Sequence, residues 1–147
     1  MTSRLNLALL TAAAALTLQS PAAAQNSDVT GLWRTPVDGG GLVRLTPCGG
    51  DICGTVVDSP RLRTHPDQRD VNNRDPDQRH RPLRGLRMLR ATPEGGGRWG
   101  DGWVYNPEDG RTYRGSLRLL SDGQLRLTGC VTAPLCRTQT WTKVRED

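Results

Sequence analysis

At 147 residues, with 20 Lys and Arg against 15 Asp and Glu and a formal charge of +5, the chain has the length of one domain. Only 4% of it is aromatic, with four tryptophans, two tyrosines and no phenylalanine, while 17 glycines and 10 prolines interrupt it. This composition excludes a long-helix or coiled-coil protein, and after the amino-terminal segment no stretch is apolar enough to cross a bilayer as a helix.

The first element is a targeting segment. Arg4 precedes an apolar run from Leu5 to Leu18, and Ala22-Ala23-Ala24 supplies the small-x-small pattern of a signal-peptidase site. This predicts residues 1–24 as a signal peptide and a single domain over 25–147. Gln25 in place of cysteine argues against a lipoprotein anchor. The product would be periplasmic or secreted.

From Gln25 onward, 36 of 123 residues are hydrophobic. So thin a core needs support, and the large buried areas must come from Trp33, Trp99, Trp103, Trp141, Tyr105 and Tyr113. Four cysteines in an exported domain of this kind predict two disulfides. The spacings Cys48-x4-Cys53 and Cys130-x5-Cys136 miss the tight pairs of zinc sites.

Short apolar runs separated by Gly, Pro, Asn and Asp then predict eight strands, near 30–35, 41–47, 52–58, 83–91, 98–105, 111–120, 124–130 and 137–144. Alternation is plain in Tyr113, Gly115, Leu117, Leu119 and in Leu125, Leu127, Gly129, sending Arg114, Arg118 and Arg126 to the opposite face. The fourth strand is irregular, because its leucines and arginines recur every third residue. Hairpin-length connections at 37–40, 49–51, 92–97, 106–110, 121–123 and 131–136 predict an all-β fold, a small antiparallel up-and-down barrel. Successive turns would alternate between barrel ends, placing the long 59–82 connection between strands 3 and 4 at the same end as 106–110 and 131–135. Each cysteine pair would then clamp its own hairpin, because cross-pairing would have to span the barrel.

Over most of this length the residues also resemble a known family. Gly31-Leu-Trp33-Arg-Thr35, Cys53-Gly54, Asp70-x-x-Asn73-x-Asp75-Pro76-x-x-Arg79-x-Arg81-Pro82-Leu83-x-Gly85-Leu86, Trp99-x-x-Gly102-x-x-Tyr105-x-Pro107-x-x-Gly110-x-x-Tyr113 and Arg137-x-x-x-Trp141-Thr142 resemble the small exported bacterial domain of unknown function number 2147. The resemblance implies a signal peptide and a lipocalin-like β-barrel. It brings no reaction and no ligand. The chain departs from the family pattern at Arg74, where proline is usual, and at Gln78, where an apolar residue is common.

The long connection, THPDQRDVNNRDPDQRHRPLRG from Thr64 to Gly85, holds both histidines and writes Pro-Asp-Gln-Arg twice. An EF-hand starting at Asp70 would place Asp75 where glycine must turn and Arg81 at the bidentate acidic position, so that route to calcium fails. Nothing in the spacing of His65 and His80 demands a metal, and none is expected. The serines lie in no nucleophile elbow and no cofactor motif is present, so the reading is non-enzymatic with no cofactor. Four aspartates among prolines and arginines act more often as turn formers, and Pro76 is expected to start a short helical turn ending by Arg81.

Between Arg61 and Arg98 ten arginines face five acids, a net of +5. An anionic partner is one reading of this excess, a solvated basic face the other. Export and the lack of aromatics interleaved with the basic run argue against nucleic acid. Two functions remain: a binder of a small amphipathic or anionic ligand, with the barrel interior or mouth as its pocket, and a non-catalytic envelope interaction protein with a filled barrel. For the first, the candidate binding residues are Asp70, Asn73, Arg79 and Arg81 on the loop, with Trp33, Trp103, Tyr105, Tyr113 and Trp141 as an apolar wall. Nothing in the sequence fixes an oligomeric state.

Overall fold

The computed structural model describes residues 29–36 and 39–146. The expected signal peptide, its cleavage site and part of the first connection lie outside these residues. Eight strands follow one another as β1 (Gly31–Arg34), β2 (Leu42–Cys48), β3 (Asp51–Asp58), β4 (Arg87–Gly95), β5 (Arg98–Asn106), β6 (Arg111–Leu119), β7 (Leu125–Thr132) and β8 (Leu135–Lys143). Each pairs antiparallel with the next, and β8 returns to β1, closing the barrel. Closure removes the exposed edge that an open sheet would present.

One strand lies away from its expected place. Residues 83–86 are not in β4. Leu83 and Leu86 instead leave the sheet and are buried beneath the long connection, and the strand runs on to Gly95, into the expected turn. The third-residue periodicity at 83–91 mixes these two environments. Likewise β7 and β8 pair through to Thr132 and Leu135, leaving only two residues of the expected 131–136 connection as a turn.

The interior is filled by residues from every strand. Trp33, Val43, Leu45, Ile52, Leu89, Ala91, Trp99, Val104, Leu117, Leu125, Leu127 and Trp141 form one buried cluster, and inside a closed barrel only the interior can collect side chains from all eight strands. Three of the four tryptophans, Trp33, Trp99 and Trp141, are in it and are fully buried. The Trp33 indole donates to the Val29 carbonyl at 2.8 Å, and the Trp141 indole to Gln139 Oε1 at 3.1 Å. At Gly54 the wall admits no side chain: a Cβ there would stand 2.6 Å from Leu89 Cγ and 3.0 Å from Leu45 Cδ2. The small residue is what lets both leucines meet.

The disulfides are local. Cys48 joins Cys53 across the β2–β3 turn and Cys130 joins Cys136 across the β7–β8 turn, with no free cysteine. Cys130 and Cys136 are direct cross-strand partners.

The connection between β3 and β4 is the exception to the hairpin pattern. It begins with a short helix, α1 (Pro60–Thr64), that the sequence reading did not anticipate. Ser59 caps it, its hydroxyl accepting from the Leu62 amide at 3.1 Å, and Pro60 takes the first helical position. A 3-10 turn at Pro76–Gln78 follows, capped by Asp75; it starts at the expected residue and ends before Arg81.

Non-reducing peptide mapping is expected to recover only the 48–53 and 130–136 bridges and no free thiol. Replacing either pair by serines should cost about 2 kcal/mol in denaturant unfolding, the loop-closure entropy of so small a ring. The circular dichroism should stay that of a barrel, because the strand ladder does not depend on either bridge.

Candidate functional site

A buried carboxylate organises the loop-bearing end. Asp70 is 1% exposed. Its Oδ1 accepts from the Tyr105 hydroxyl at 2.6 Å, and its Oδ2 accepts from Asn73 Nδ2 at 2.8 Å, Arg81 Nε at 2.9 Å and Arg81 Nη2 at 2.8 Å. Four charge-assisted contacts replace the water that burial removes. Asn73 Nδ2 also reaches the Tyr105 oxygen at 2.9 Å, so that phenol both donates and accepts. The Arg81 guanidinium lies over the Tyr105 ring, 5.2 Å from its centroid.

The backbone closes the same unit. The Asp70 amide donates to the Arg81 carbonyl at 3.0 Å, the Leu83 amide donates to the Gln68 carbonyl at 2.9 Å, and Arg69 bridges to Pro82. Residues 70–81 thus form a closed loop with its ends together. Asn73 Oδ1 accepts from the Asp75 amide at 2.9 Å and the Asn73 carbonyl from Arg79 Nε at 2.7 Å. Beneath the loop Leu62, Leu83, Leu86, Val56 and Tyr105 make a second buried cluster against Trp103 and Met88. The far side of the loop reaches the β5–β6 turn, where Asn72 Nδ2 donates to the Pro107 and Glu108 carbonyls, both at 3.2 Å. The loop sits so close there that a Cβ on Gly110, whose φ is +69°, would stand 1.8 Å from the Asn72 oxygen.

Between this loop and the barrel wall lies an open cleft of about 770 Å³, within the range of small-ligand sites. The loop contributes Asn73, Arg74, Asp75, Gln78 and Arg81; the strands contribute Arg87, Trp103, Tyr105, the 110–114 segment, Cys130 and Val131. The register shows which side of the wall this is. Val104 pairs with Leu89 and belongs to the interior cluster, so its neighbours Trp103 and Tyr105 point outward, with Trp103 opposite Arg114 and Arg114 opposite Cys130. The cleft therefore lies mainly on the outer wall of β4 to β7, with Tyr113, the cross-strand partner of Val104, reaching it from the inner face; Trp33, Trp99 and Trp141 occupy the barrel interior.

Of the expected binding residues, the structure brings Asn73, Arg81, Trp103, Tyr105 and Tyr113 to the cleft. Asp70 stands behind it as the anchor. Trp33 and Trp141 are in the interior cluster, away from the cleft, because a core this short of apolar residues takes its largest side chains. Arg79 is turned to the Asn73 carbonyl and does not line the cleft. Arg87, Arg111, Arg114 and Thr112 were missed. The outward placement of Arg114 was visible in the β6 alternation, but that the loop would cover that face was not. His65 and His80 are exposed, with His65 Nδ1 2.9 Å from the Thr64 hydroxyl. Among the described residues no three His, Cys, Asp or Glu side chains converge as a metal site.

Electrostatically the cleft is cationic. Among the described residues Arg74, Arg87 and Arg114 form no ion pair and no side-chain hydrogen bond, and Arg111 lies near Asp109 and Tyr113. Asp109 is engaged by the Tyr113 hydroxyl, and that hydrogen bond raises the Tyr113 phenol. Burial, reinforced by the hydrogen bond to Asp70, pushes the Tyr105 phenol up to about 12.

Asp70→Ala should destabilise the fold by about 3 kcal/mol, the low end for breaking a buried pair because the Arg81 head still reaches water. Chemical denaturation checks this. The Tyr105 phenol ionises near 10 when unfolded and near 12 when folded, so the stability it supplies is complete below about pH 10 and is lost as pH rises through 12. Tyr105→Phe should flatten that alkaline loss and remove the highest-pH step from the tyrosinate absorbance titration.

The fold and this geometry can be set beside known proteins. The chain is similar to protein HP1028 from Helicobacter pylori, a solved structure described as belonging to the lipocalin family, with 21% sequence identity, a TM-score of 0.71, and coverage of 80% of this chain and 84% of that one. At that identity the likeness establishes a lipocalin-like barrel. No curated protein matches the chain in sequence. A family model described as an uncharacterised protein conserved in bacteria, DUF2147, matches residues 31–143, and the chain belongs to that family.

Proposed function

We propose that the protein is an exported binding protein whose outer cleft takes a small amphipathic anion, its charged end among Arg74, Arg87 and Arg114 and its apolar part on Trp103. The observation that carries this reading is the convergence of arginines without carboxylate partners on an aromatic floor. Arginine's planar fork suits carboxylate or phosphate oxygens, and an aromatic face accepts an alkyl chain. The loop that forms one side is anchored by Asp70 and so holds its arginines without waiting for a ligand. Lipocalin-like barrels as a shape suit small-ligand binding, and two disulfides suit an oxidising compartment beyond the cytoplasm. Cleavage after Ala24 is part of the same proposal.

A second reading rests on the filled interior. With Trp33, Trp99 and Trp141 packed inside, the barrel has the build of a rigid scaffold that only displays a surface to an envelope component.

N-terminal sequencing of the exported protein should begin at Gln25. Decanoate and dodecyl phosphate, tested by native mass spectrometry and tryptophan fluorescence, should bind in a one-to-one complex. The fluorescence is selective, because Trp103 is the one tryptophan in the cleft and the other three are buried in the barrel. Arg87→Ala with Arg114→Ala should weaken binding by about tenfold or more, the loss expected for one or two charge-assisted hydrogen bonds. Binding that survives both substitutions, or that neither anion shows, would leave the scaffold reading in place.

A further inference from the structure

A second cationic feature lies on the same outer wall, nearer the opposite end of the barrel. Arg98 of β5 is the direct cross-strand partner of Arg118 of β6, and Arg118 is the direct partner of Arg126 of β7. Three arginines thus stand in one row across three strands. Directly opposed side chains project from the same face, and like charges so placed destabilise a sheet. All three are exposed, and among the described residues none has an ion pair or a side-chain hydrogen bond. The row continues into Thr140 of β8. Two residues along the strands, the adjacent row is Ser116, Thr128 and Thr138, all hydroxyls, with Thr128 and Thr138 oxygens 3.2 Å apart. No apolar side chain interrupts these two rows.

We propose that this face binds an acidic polysaccharide, its carboxylates or sulfates engaging Arg98, Arg118 and Arg126 in turn and its hydroxyls meeting the Ser116–Thr128–Thr138 row. The spacing points to a polymer: three strands at about 4.8 Å per step span roughly 10 Å, farther than one carboxylate or sulfate reaches. The chemistry points to carbohydrate. A lipid surface would call for exposed apolar side chains to enter it, and single-stranded nucleic acid for aromatic stacking platforms, and these rows offer neither. Guanidinium forks beside hydroxyls match charged groups beside sugar hydroxyls. The site is separate from the cleft. Arg114, the β6 arginine of the cleft, is four residues from Arg118 on the same face, about 13 Å along the strand.

Heparin supplies sulfate and polygalacturonate supplies carboxylate, and binding of each to the mature protein can be measured by calorimetry from 50 to 300 mM NaCl. The triple variant Arg98→Gln/Arg118→Gln/Arg126→Gln should bind the preferred polymer at least about tenfold more weakly near physiological salt, with a log–log salt slope smaller by up to about three. A charge-matched variant, Arg61→Gln/Arg137→Gln/Arg145→Gln, should bind like the parent. Arg118→Gln alone should raise the melting temperature, since its arginine is flanked by like charge on both sides, and that rise shows that weaker binding does not come from unfolding. The row variant should still bind decanoate or dodecyl phosphate if the cleft takes them. Equal losses in the two triple variants would reduce the effect to net charge and overturn the proposal. So would unchanged binding in the row variant, or row-dependent capture by phosphatidylglycerol vesicles in place of either polymer.

Discussion

Burying a carboxylate is costly unless every oxygen is met, and the loop-bearing end of this barrel is arranged around that requirement at Asp70. The long connection has little regular structure and few apolar residues, so it cannot hold itself to the wall by burial alone. Leu62, Leu83 and Leu86 supply a small apolar footing on Tyr105. Direction comes from the Asp70 contacts: Arg81 arrives from the far end of the closed loop, Asn73 from its near end, and Tyr105 from the barrel. One acid therefore fixes both ends of the loop to one strand. Because Asp70 also neutralises Arg81 and Arg79 is turned to the Asn73 carbonyl, the charge presented to the cleft is that of other arginines, not of the two that sequence reasoning favoured.

The shortage of apolar residues sets the rest of the architecture. A barrel of eight strands can be filled by side chains or kept open for a ligand, and here the three largest side chains available are spent on filling it. The fourth, Trp103, is left on the outer wall, where the loop half covers it. The open cleft thereby lies outside the barrel interior. The wall behind it is stiff, closed by its own ladder, clipped at two turns by disulfides, and packed tightly enough that Gly54 has no room for a methyl group.

Much of this was legible in the sequence, and what was not has identifiable causes. Period-two alternation in β6 and β7, the turn residues and the cysteine spacing are local signals, and they led to the barrel, its eight strands and the hairpin clamps. The fourth strand was misplaced because Leu83 and Leu86 are apolar for a different reason from Leu89: they face the underside of the loop, whereas Leu89 faces the interior. A periodicity argument cannot separate two apolar environments that follow each other without a break. The α1 turn was readable in retrospect, since Ser59-Pro60 is a cap followed by proline at the first helical position. That Trp33 and Trp141 point inward while Trp103 points outward depends on the pairing register and on the bulge between Trp99 and Gly102. Both belong to the assembled sheet.

Charge illustrates the same limit most sharply. Along the chain the positive excess lies between Arg61 and Arg98, yet folding neutralises much of that segment and leaves other arginines bare. Asp58 takes Arg63 and Arg84, Asp70 takes Arg81, and Asp51 takes Arg90, whose hydrogen bond holds the Asp51 carboxyl below its usual range. Glu146 takes Arg44 on β2. On the outer wall of β5 to β7, Arg98, Arg114, Arg118 and Arg126 have no acid as a direct cross-strand partner. Three of those four come from outside the segment that looked basic in the sequence. A protein under no demand but stability could relieve the row by replacing Arg118 alone, since its cross-strand neighbours are both arginines. That the wall sets three like charges side by side, none of them in an ion pair among the described residues, is the physical reason to look for the anion outside the molecule.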